Sequence, residues 1–124
     1  MKTILIVDDE QDVRIIVRMM FSKNPAYRLL EAANGHDALA LTKQERPELI
    51  ILDWLMPGLD GKNFLKTLRG DAELADTPVI MMTVKGELAA QAEGRALGVV
   101  AYLVKPFASD TLMEQVQEAL KEKC

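Results

Sequence analysis

The chain has 124 residues, of which 49% are hydrophobic and 27% charged, and its formal net charge at pH 7 is −4. This length predicts a single domain over residues 1–124, with a core over about 3–121 that needs no metal or disulfide support. The acidic balance argues against direct nucleic-acid binding. The lone Cys124 cannot form a disulfide within the chain. No apolar run approaches the ~18 residues of a membrane span, and we expect a cytoplasmic monomer or weak dimer.

Short apolar runs alternate with stretches of helical periodicity along the whole chain. The apolar runs predict strands over 3–7, 27–31, 49–52, 79–82 and 100–104. The periodic stretches predict helices over about 12–23, 36–45, 62–69, 87–97 and from Ser109 onward. Near-continuous apolar strands that alternate with helices are typical of a parallel sheet covered on both faces. The sequence therefore predicts an α/β fold, a doubly wound five-stranded parallel (βα)5 sheet.

Four of the predicted strands end on side chains that can handle a phosphoryl group. Asp8 and Asp9 follow the first strand, Asp53 the third, Thr83 the fourth and Lys105 the fifth. The carboxyl ends of parallel strands share one edge of a sheet, and ligands bind outside that edge in open α/β folds. The sequence therefore predicts one site that combines three carboxylates, a hydroxyl and an ammonium.

The three aspartates favour a metal ion and a nucleophile. Like charges close together raise one another's pKa, and a hard cation such as Mg²⁺ relieves the repulsion. The alternative for Asp8 and Asp9 is that one of them caps the first helix. Asp53 can act as a nucleophile that forms an aspartyl phosphate, or it can simply close the strand as a turn residue.

The other two strand-end side chains suit the phosphoryl oxygens. The Thr83 hydroxyl could donate a hydrogen bond, although threonine is also common in strands. The Lys105 ammonium could neutralise phosphoryl charge, or it could be a lysine that extends from the rim into solvent. The bond between Lys105 and Pro106 is a candidate cis peptide, because cis bonds occur mainly before proline.

Four sequence blocks together give the chain a specific resemblance. They are VDDE at 7–10, LDWLMPGLDG at 52–61, PVIMMT at 78–83 and YLVKPF at 102–107. In order and spacing, over residues 3 to about 121, they resemble the receiver domain of response regulators, the CheY-like family of two-component signalling. The resemblance implies the flavodoxin-like strand order 2-1-3-4-5, with the site where the order reverses between the first and third strands.

The resemblance also implies a role for each site residue. Asp53 matches the phosphoacceptor, and Asp8 and Asp9 match the acidic pair that binds Mg²⁺. The backbone carbonyl of Leu55 stands where the family has its third protein ligand, and Lys105 matches the family's lysine.

Two further residues match the family's switch: Thr83 matches the switch hydroxyl and Tyr102 matches the switch aromatic residue. The implied partners are a sensor histidine kinase or phosphotransfer protein upstream and a protein target downstream. The implied activity is confined to the chain's own phosphorylation and dephosphorylation, so we do not expect an enzyme that acts on other substrates.

Some positions depart from the family's pattern. Val84 stands where a small residue is usual, and its branched side chain could narrow access to the phosphoryl group. Leu55 and Lys85 occupy rim positions that tune phosphoryl lifetime in the family. Residues 99–101 are apolar where an acidic stretch is more usual. This makes the face formed by the last two helices and the last strand a predicted protein contact surface.

Several other functions are alternatives to the receiver. A phosphatase of the haloacid-dehalogenase type would carry its nucleophile after the first strand in a DxD pattern, whereas residues 8–10 give DxE. A flavodoxin would need a phosphate loop rich in Ser, Thr and Gly, whereas VDDEQD repels phosphate. A pseudo-receiver that only binds proteins stays open because of Val84. We expect a stand-alone receiver, and the receiver fragment of a larger DNA-binding or enzymatic regulator is the other alternative.

Overall fold

The computed structural model describes residues 1–54, 61–84 and 88–123 of the chain. Its strands are β1 (Lys2–Val7), β2 (Tyr27–Ala32), β3 (Leu49–Asp53), β4 (Val79–Val84) and β5 (Ala101–Lys105). Its helices are α1 (Gln11–Ser22), α2 (Gly35–Glu45), α3 (Gly61–Gly70), α4 (Leu88–Ala96) and α5 (Ser109–Lys123). Each predicted strand and helix is present, with its bounds shifted by no more than two residues.

The five strands form one parallel sheet in the order β2-β1-β3-β4-β5. This confirms the predicted α/β fold class and the flavodoxin-like order. The chain moves outward from β1 to β2 on one side and then returns to place β3 on the other side of β1. The loops after β1 and β3 therefore diverge at the carboxyl edge of the sheet, and the crevice between them is where such folds bind ligands.

Successive side chains of the central strands point to opposite faces of the sheet, and both faces are buried. In β1, Ile4 and Ile6 pack in one apolar cluster with residues of α1 and α5. Leu5 and Val7 pack in a second cluster with residues of α2, α3 and α4. This double burial explains why the strands are continuous apolar runs rather than alternating ones.

The helix ends follow local sequence signals. The Asn34 side chain accepts a hydrogen bond from the backbone N–H of Asp37 at 2.8 Å and so caps α2. After α4 the chain turns at Gly98, whose φ of 81° lies in the left-handed region that glycine tolerates.

The start of α3 lies directly against the end of β3, at a position where only glycine fits. A Cβ atom built on Gly61 would lie 2.7 Å from the Asp53 carbonyl oxygen and 2.7 Å from the Trp54 Cα. The Gly61 N–H donates to the Trp54 carbonyl oxygen at 3.2 Å. Because backbone atoms cannot move aside as a flexible side chain can, Gly61 sets how closely α3 approaches the strand that carries Asp53.

We predict that Gly61→Ala lowers the free energy of unfolding by about 1–3 kcal/mol, as other overpacked substitutions do. Gly70→Ala at the far end of the same helix is the matched control, because a Cβ there meets nothing within 4 Å. We expect Gly70→Ala to leave the free energy of unfolding unchanged or to raise it by up to about 1 kcal/mol. Urea unfolding measures both, and equal stability of the two variants would contradict the close approach.

Candidate functional site

The carboxyl edge of the sheet brings together three of the predicted side chains. The Lys105 Nζ lies 2.8 Å from Asp8 Oδ2 and 3.6 Å from Asp53 Oδ2. Asp8 follows β1, Asp53 ends β3 and Lys105 ends β5. Residues that are far apart in the sequence thus form one ionic cluster at the predicted edge.

Both aspartates of this cluster are shielded from solvent. Asp8 is fully buried and Asp53 is 5% exposed. A buried carboxylate is costly unless a charge and hydrogen bonds compensate it, and Lys105 supplies that charge. Burial alone would lower the pKa of Lys105. The hydrogen bond to Asp8 and the charges of Asp53 and Glu10 outweigh burial, so the pKa lies above its ordinary value.

Glu10 joins the cluster, although the sequence predicted no role for it. Its Oε1 lies 3.4 Å from the Lys105 Nζ. Asp8, Glu10 and Asp53 each offer a carboxylate oxygen, and these three oxygens lie within 4.8 Å of one another. Asp9 is exposed and lies outside this group. The signal for Glu10 was its place in a run of three acidic residues, but the run does not say which side chains turn inward.

The donor set suits a hard divalent cation. The three clustered carboxylates offer only oxygen atoms, which are the ligands that Mg²⁺ prefers. Among the described residues, these three carboxylates share the ammonium of Lys105, and a divalent cation could supply further positive charge to the cluster. The predicted ligand carbonyl of Leu55 lies outside the described residues.

Asp8 is held by hydrogen bonds through its backbone and its side chain. Its N–H donates to the Ala32 carbonyl oxygen at 3.1 Å, and its carbonyl oxygen accepts from Arg14 Nη1 at 2.8 Å. Its Oδ1 accepts from the Glu10 N–H at 2.8 Å. The N-cap residue of α1 is Glu10, which makes no side-chain capping hydrogen bond. The alternative that Asp8 or Asp9 is the cap of this helix is therefore wrong.

Thr83 and Tyr102 lie on the opposite face of the sheet from Asp53 and Lys105, as the alternation of β4 and β5 requires. Thr83 is buried, and its hydroxyl donates to the Val84 carbonyl oxygen at 3.3 Å. The Val84 side chain itself is exposed. The structure thus places the predicted switch residues on neighbouring strands, beside the helical layer of α3 and α4.

Tyr102 is half-buried and contacts α4 at two points. Its hydroxyl donates to the backbone carbonyl oxygen of Gln91. The Arg95 guanidinium carbon lies 5.7 Å from the centre of its ring, within the range of a cation–π interaction. The sequence predicts a role for Tyr102 but indicates neither of these partners on α4.

The remaining predictions concern the last strand and its surroundings. The peptide bond between Lys105 and Pro106 is cis, as predicted. Of the predicted apolar stretch 99–101, Val100 is 41% exposed, whereas Val99 and Ala101 are partly buried against the core. Val104 of β5, which was not part of that prediction, is a further exposed apolar residue at 41%. Lys85 lies outside the described residues.

A family model described as the response regulator receiver domain matches residues 4–117. The chain belongs to the response regulator receiver domain family. Such CheY-like receivers are the domains of two-component signalling that the four sequence blocks indicated. Receiver domains generally bind Mg²⁺ and act between histidine kinases and downstream effectors.

Several curated relatives align with nearly the whole receiver. It is 39% identical to sporulation initiation phosphotransferase F of Bacillus subtilis, over 97% of this chain and 94% of that protein. It is 36% identical to the protein PilH of Pseudomonas aeruginosa, over 97% and 98%. It is 37% identical to the phosphate regulon transcriptional regulatory protein PhoB of Pseudomonas aeruginosa, over 97% of this chain. The chain spans 52% of PhoB, about half its length.

Solved structures share the receiver's fold. The chemotaxis protein CheY4 of Vibrio cholerae superimposes with a TM-score of 0.90 at 34% identity, over 97% of this chain and 99% of that one. The receiver domain of the Francisella response regulator 1452 superimposes with a TM-score of 0.88 at 31% identity, over the full length of both. Among the described residues, none of the helices is both long and apolar enough to cross a bilayer.

We predict that Lys105→Gln lowers the free energy of unfolding of the metal-free receiver by about 1.5–3 kcal/mol, the contribution of a hydrogen bond to a charged group. The substitution leaves buried Asp8 and Asp53 without their ammonium. Lys66→Gln on the exposed surface of α3 is the matched control and should change the free energy by less than about 0.5 kcal/mol.

The pH dependence of this difference follows from the raised pKa of Lys105. A group whose pKa is higher in the folded state contributes its full stabilisation below its unfolded pKa of ~10.4 and loses it as the pH rises through the folded value. The difference in the free energy of unfolding between the parent and Lys105→Gln should therefore be constant from about pH 7 to about pH 9 and become smaller in strong alkali. Urea unfolding across this pH range measures the difference. A difference that becomes larger in alkali would contradict the ion pair.

Proposed function

We propose that the receiver accepts a phosphoryl group on Asp53 from the phosphohistidine of a sensor histidine kinase or phosphotransfer protein. The observation that carries the proposal is the approach of the Lys105 ammonium to buried Asp53 and Asp8 at one edge of the sheet. A carboxylate beside a fixed cation can attack phosphorus while the developing charge is compensated. The name of the Bacillus subtilis relative, a phosphotransferase, supports the same chemistry.

The proposed reaction is an in-line displacement. A carboxylate oxygen of Asp53 attacks the phosphorus, and a new O–P bond forms as the bond from phosphorus to the histidine nitrogen breaks. The electron pair of the broken bond stays on that nitrogen. The chain supplies position and charge rather than further covalent steps, which is the usual division of labour in phosphoryl transfer.

The proposed acceptor, Asp53, belongs to a group of three clustered carboxylates. Asp8 and Asp53, together with Asp9 or Glu10, would hold Mg²⁺, which supplies positive charge toward the phosphoryl oxygens. The Leu55 carbonyl is the further ligand that the family resemblance implies. Lys105 already touches Asp8 and can turn its ammonium toward a phosphoryl group on Asp53.

Phosphorylation is proposed to act through Thr83 and Tyr102. The phosphoryl group would draw the Thr83 hydroxyl toward it, and the space so created would let Tyr102 change its rotamer. Moving a two-state equilibrium from 1:99 to 99:1 needs ~5.5 kcal/mol of differential stabilisation, which two or three charge-assisted hydrogen bonds at ~1.5–3 kcal/mol each can supply. The hydroxyl of Tyr102 now bonds the α4 backbone, so its movement would change α4 as well.

The proposed output surface is the face formed by α4, β5 and α5. Exposed Val100 and Val104 give it apolar area for a protein partner. The receiver would act on no substrate other than its own aspartyl phosphate. It would use this face whether it works alone or within a longer regulator, since the chain is similar both to PilH, of which it covers 98%, and to PhoB, of which it covers 52%.

Intact mass after incubation with Mg²⁺ and acetyl phosphate tests the acceptor. We expect one phosphoryl group on the parent protein and none on Asp53→Asn. Asp110→Asn is the matched control, since Asp110 is an exposed residue in the first turn of α5, and it should be labelled like the parent. Labelling of Asp53→Asn equal to that of the parent would refute the assignment.

The switch has its own test. Thr83→Ala should still take the phosphoryl group, but the ring resonances of Tyr102 should no longer shift on phosphorylation, because the hydroxyl that transmits the change is gone. Thr67 lies on the exposed surface of α3, and in the control variant Thr67→Ala the Tyr102 ring resonances should shift on phosphorylation as they do in the parent. An unchanged Tyr102 shift in Thr83→Ala would remove Thr83 from the pathway.

A further inference from the structure

Arg14 lies on α1 directly behind the acidic loop that follows β1. Its Nη1 donates to the Asp8 carbonyl oxygen at 2.8 Å, and its side chain is 18% exposed. A guanidinium that is largely withdrawn from water and bonded to one backbone carbonyl holds that carbonyl firmly, because a charged donor roughly doubles the strength of a hydrogen bond.

Glu31 on the neighbouring strand β2 braces this arginine. Arg14 Nε lies 3.6 Å from Glu31 Oε1. Arg18, one helical turn further on, donates to both carboxylate oxygens of Glu31, at 2.6 and 2.9 Å. These interactions, led by the hydrogen bond from Arg18, hold the pKa of Glu31 below its usual value although burial opposes them. Glu31 is therefore an ionised anchor fixed in the sheet.

The Asp8 carbonyl determines where the acidic loop goes next. The other polar atoms of Asp8 are already held by Ala32, Glu10 and Lys105. Because a peptide unit is planar, fixing the Asp8 carbonyl also fixes the direction in which the chain continues to Asp9. The orientation of that single peptide decides which acidic side chains after β1 face the cluster and which face solvent.

We propose that Arg14, braced by Glu31, is a positioning residue for the metal and phosphoryl site, acting through the peptide between Asp8 and Asp9. This inference rests on the proposed function for its consequence in phosphoryl transfer, but its consequence for Mg²⁺ binding is measurable without it. An arginine suits the role because its planar fork can donate to a carbonyl and a carboxylate at once, whereas the single ammonium of a lysine cannot hold both in the same geometry.

The test compares Arg14→Lys with Arg18→Lys. Both variants keep the net charge and both weaken an interaction with Glu31, but only the first removes the guanidinium from the Asp8 carbonyl. Calorimetric Mg²⁺ titration of Arg14→Lys should give a dissociation constant raised about tenfold, as expected when a residue that orients a metal ligand is changed. Arg18→Lys should stay within about twofold of the parent, an effect typical of an exposed ion pair.

A second readout needs neither metal nor phosphate. In the metal-free protein, the carbonyl ¹³C resonance of Asp8 should shift in Arg14→Lys and keep its parent position in Arg18→Lys. The urea midpoint shows whether each variant is folded. If Arg14→Lys does not fold, Glu31→Gln replaces it, with the same direction of change expected in both readouts because it releases the brace on Arg14.

The outcomes separate the two proposals. Parent-like Mg²⁺ affinity and an unmoved Asp8 carbonyl resonance in folded Arg14→Lys would overturn the positioning role. Equal losses of Mg²⁺ affinity in Arg14→Lys and Arg18→Lys would also overturn the positioning role, since the cause would then be the general packing of α1 on β2. A parent protein that takes no phosphoryl group from acetyl phosphate would overturn the proposed function instead, while the Mg²⁺ and carbonyl measurements would still decide the role of Arg14.

Discussion

Two buried carboxylates, Asp8 and Asp53, share the carboxyl edge of the sheet with a single ammonium from Lys105. Such carboxylates are stable in a protein interior only when opposite charge and hydrogen bonds compensate them. Within the part of the chain that the structure describes, Glu10 adds a third carboxylate to the same ammonium. Three clustered carboxylates held against burial by the fold favour a divalent cation, and the positive charge of that cation and of Lys105 would offset the negative charge that a phosphoryl group brings to Asp53.

The rest of the molecule serves to hold these charges at short range. The parallel sheet brings the ends of three strands to one edge, and burial of both sheet faces keeps the strands from shifting register. Gly61 lets α3 pack directly on the backbone of Asp53 and Trp54. On the other side, Arg14 fixes the backbone of Asp8 from α1. The site is therefore supported from both layers of helices, which is how a constellation of like charges keeps a fixed geometry.

The sequence predicts the fold and most of the site for a simple reason. Apolar runs mark buried parallel strands, and parallel strands bring whatever follows them to one edge. The sequence does not predict contacts that depend on the orientation of a single peptide or on a backbone hydrogen-bond partner. That Glu10 rather than Asp9 faces the cluster is set by the turn after β1, which no periodicity records. Arg14 looks like any charged helix residue, and the Gln91 carbonyl that Tyr102 bonds has no side-chain signature at all.

The most direct test of the central claim is chemical identification of the acceptor carboxylate. Borohydride reduces an acyl phosphate to an alcohol, so a phosphorylated aspartate becomes homoserine. The receiver would be incubated with Mg²⁺ and acetyl phosphate, reduced with borodeuteride and mapped by peptide mass spectrometry. We expect deuterated homoserine at Asp53 and unchanged residues at Asp8, Asp9 and Glu10. Reduction at Asp8, as a nucleophile after the first strand would give, or no reduction in a sample that carries a phosphoryl group, would contradict it.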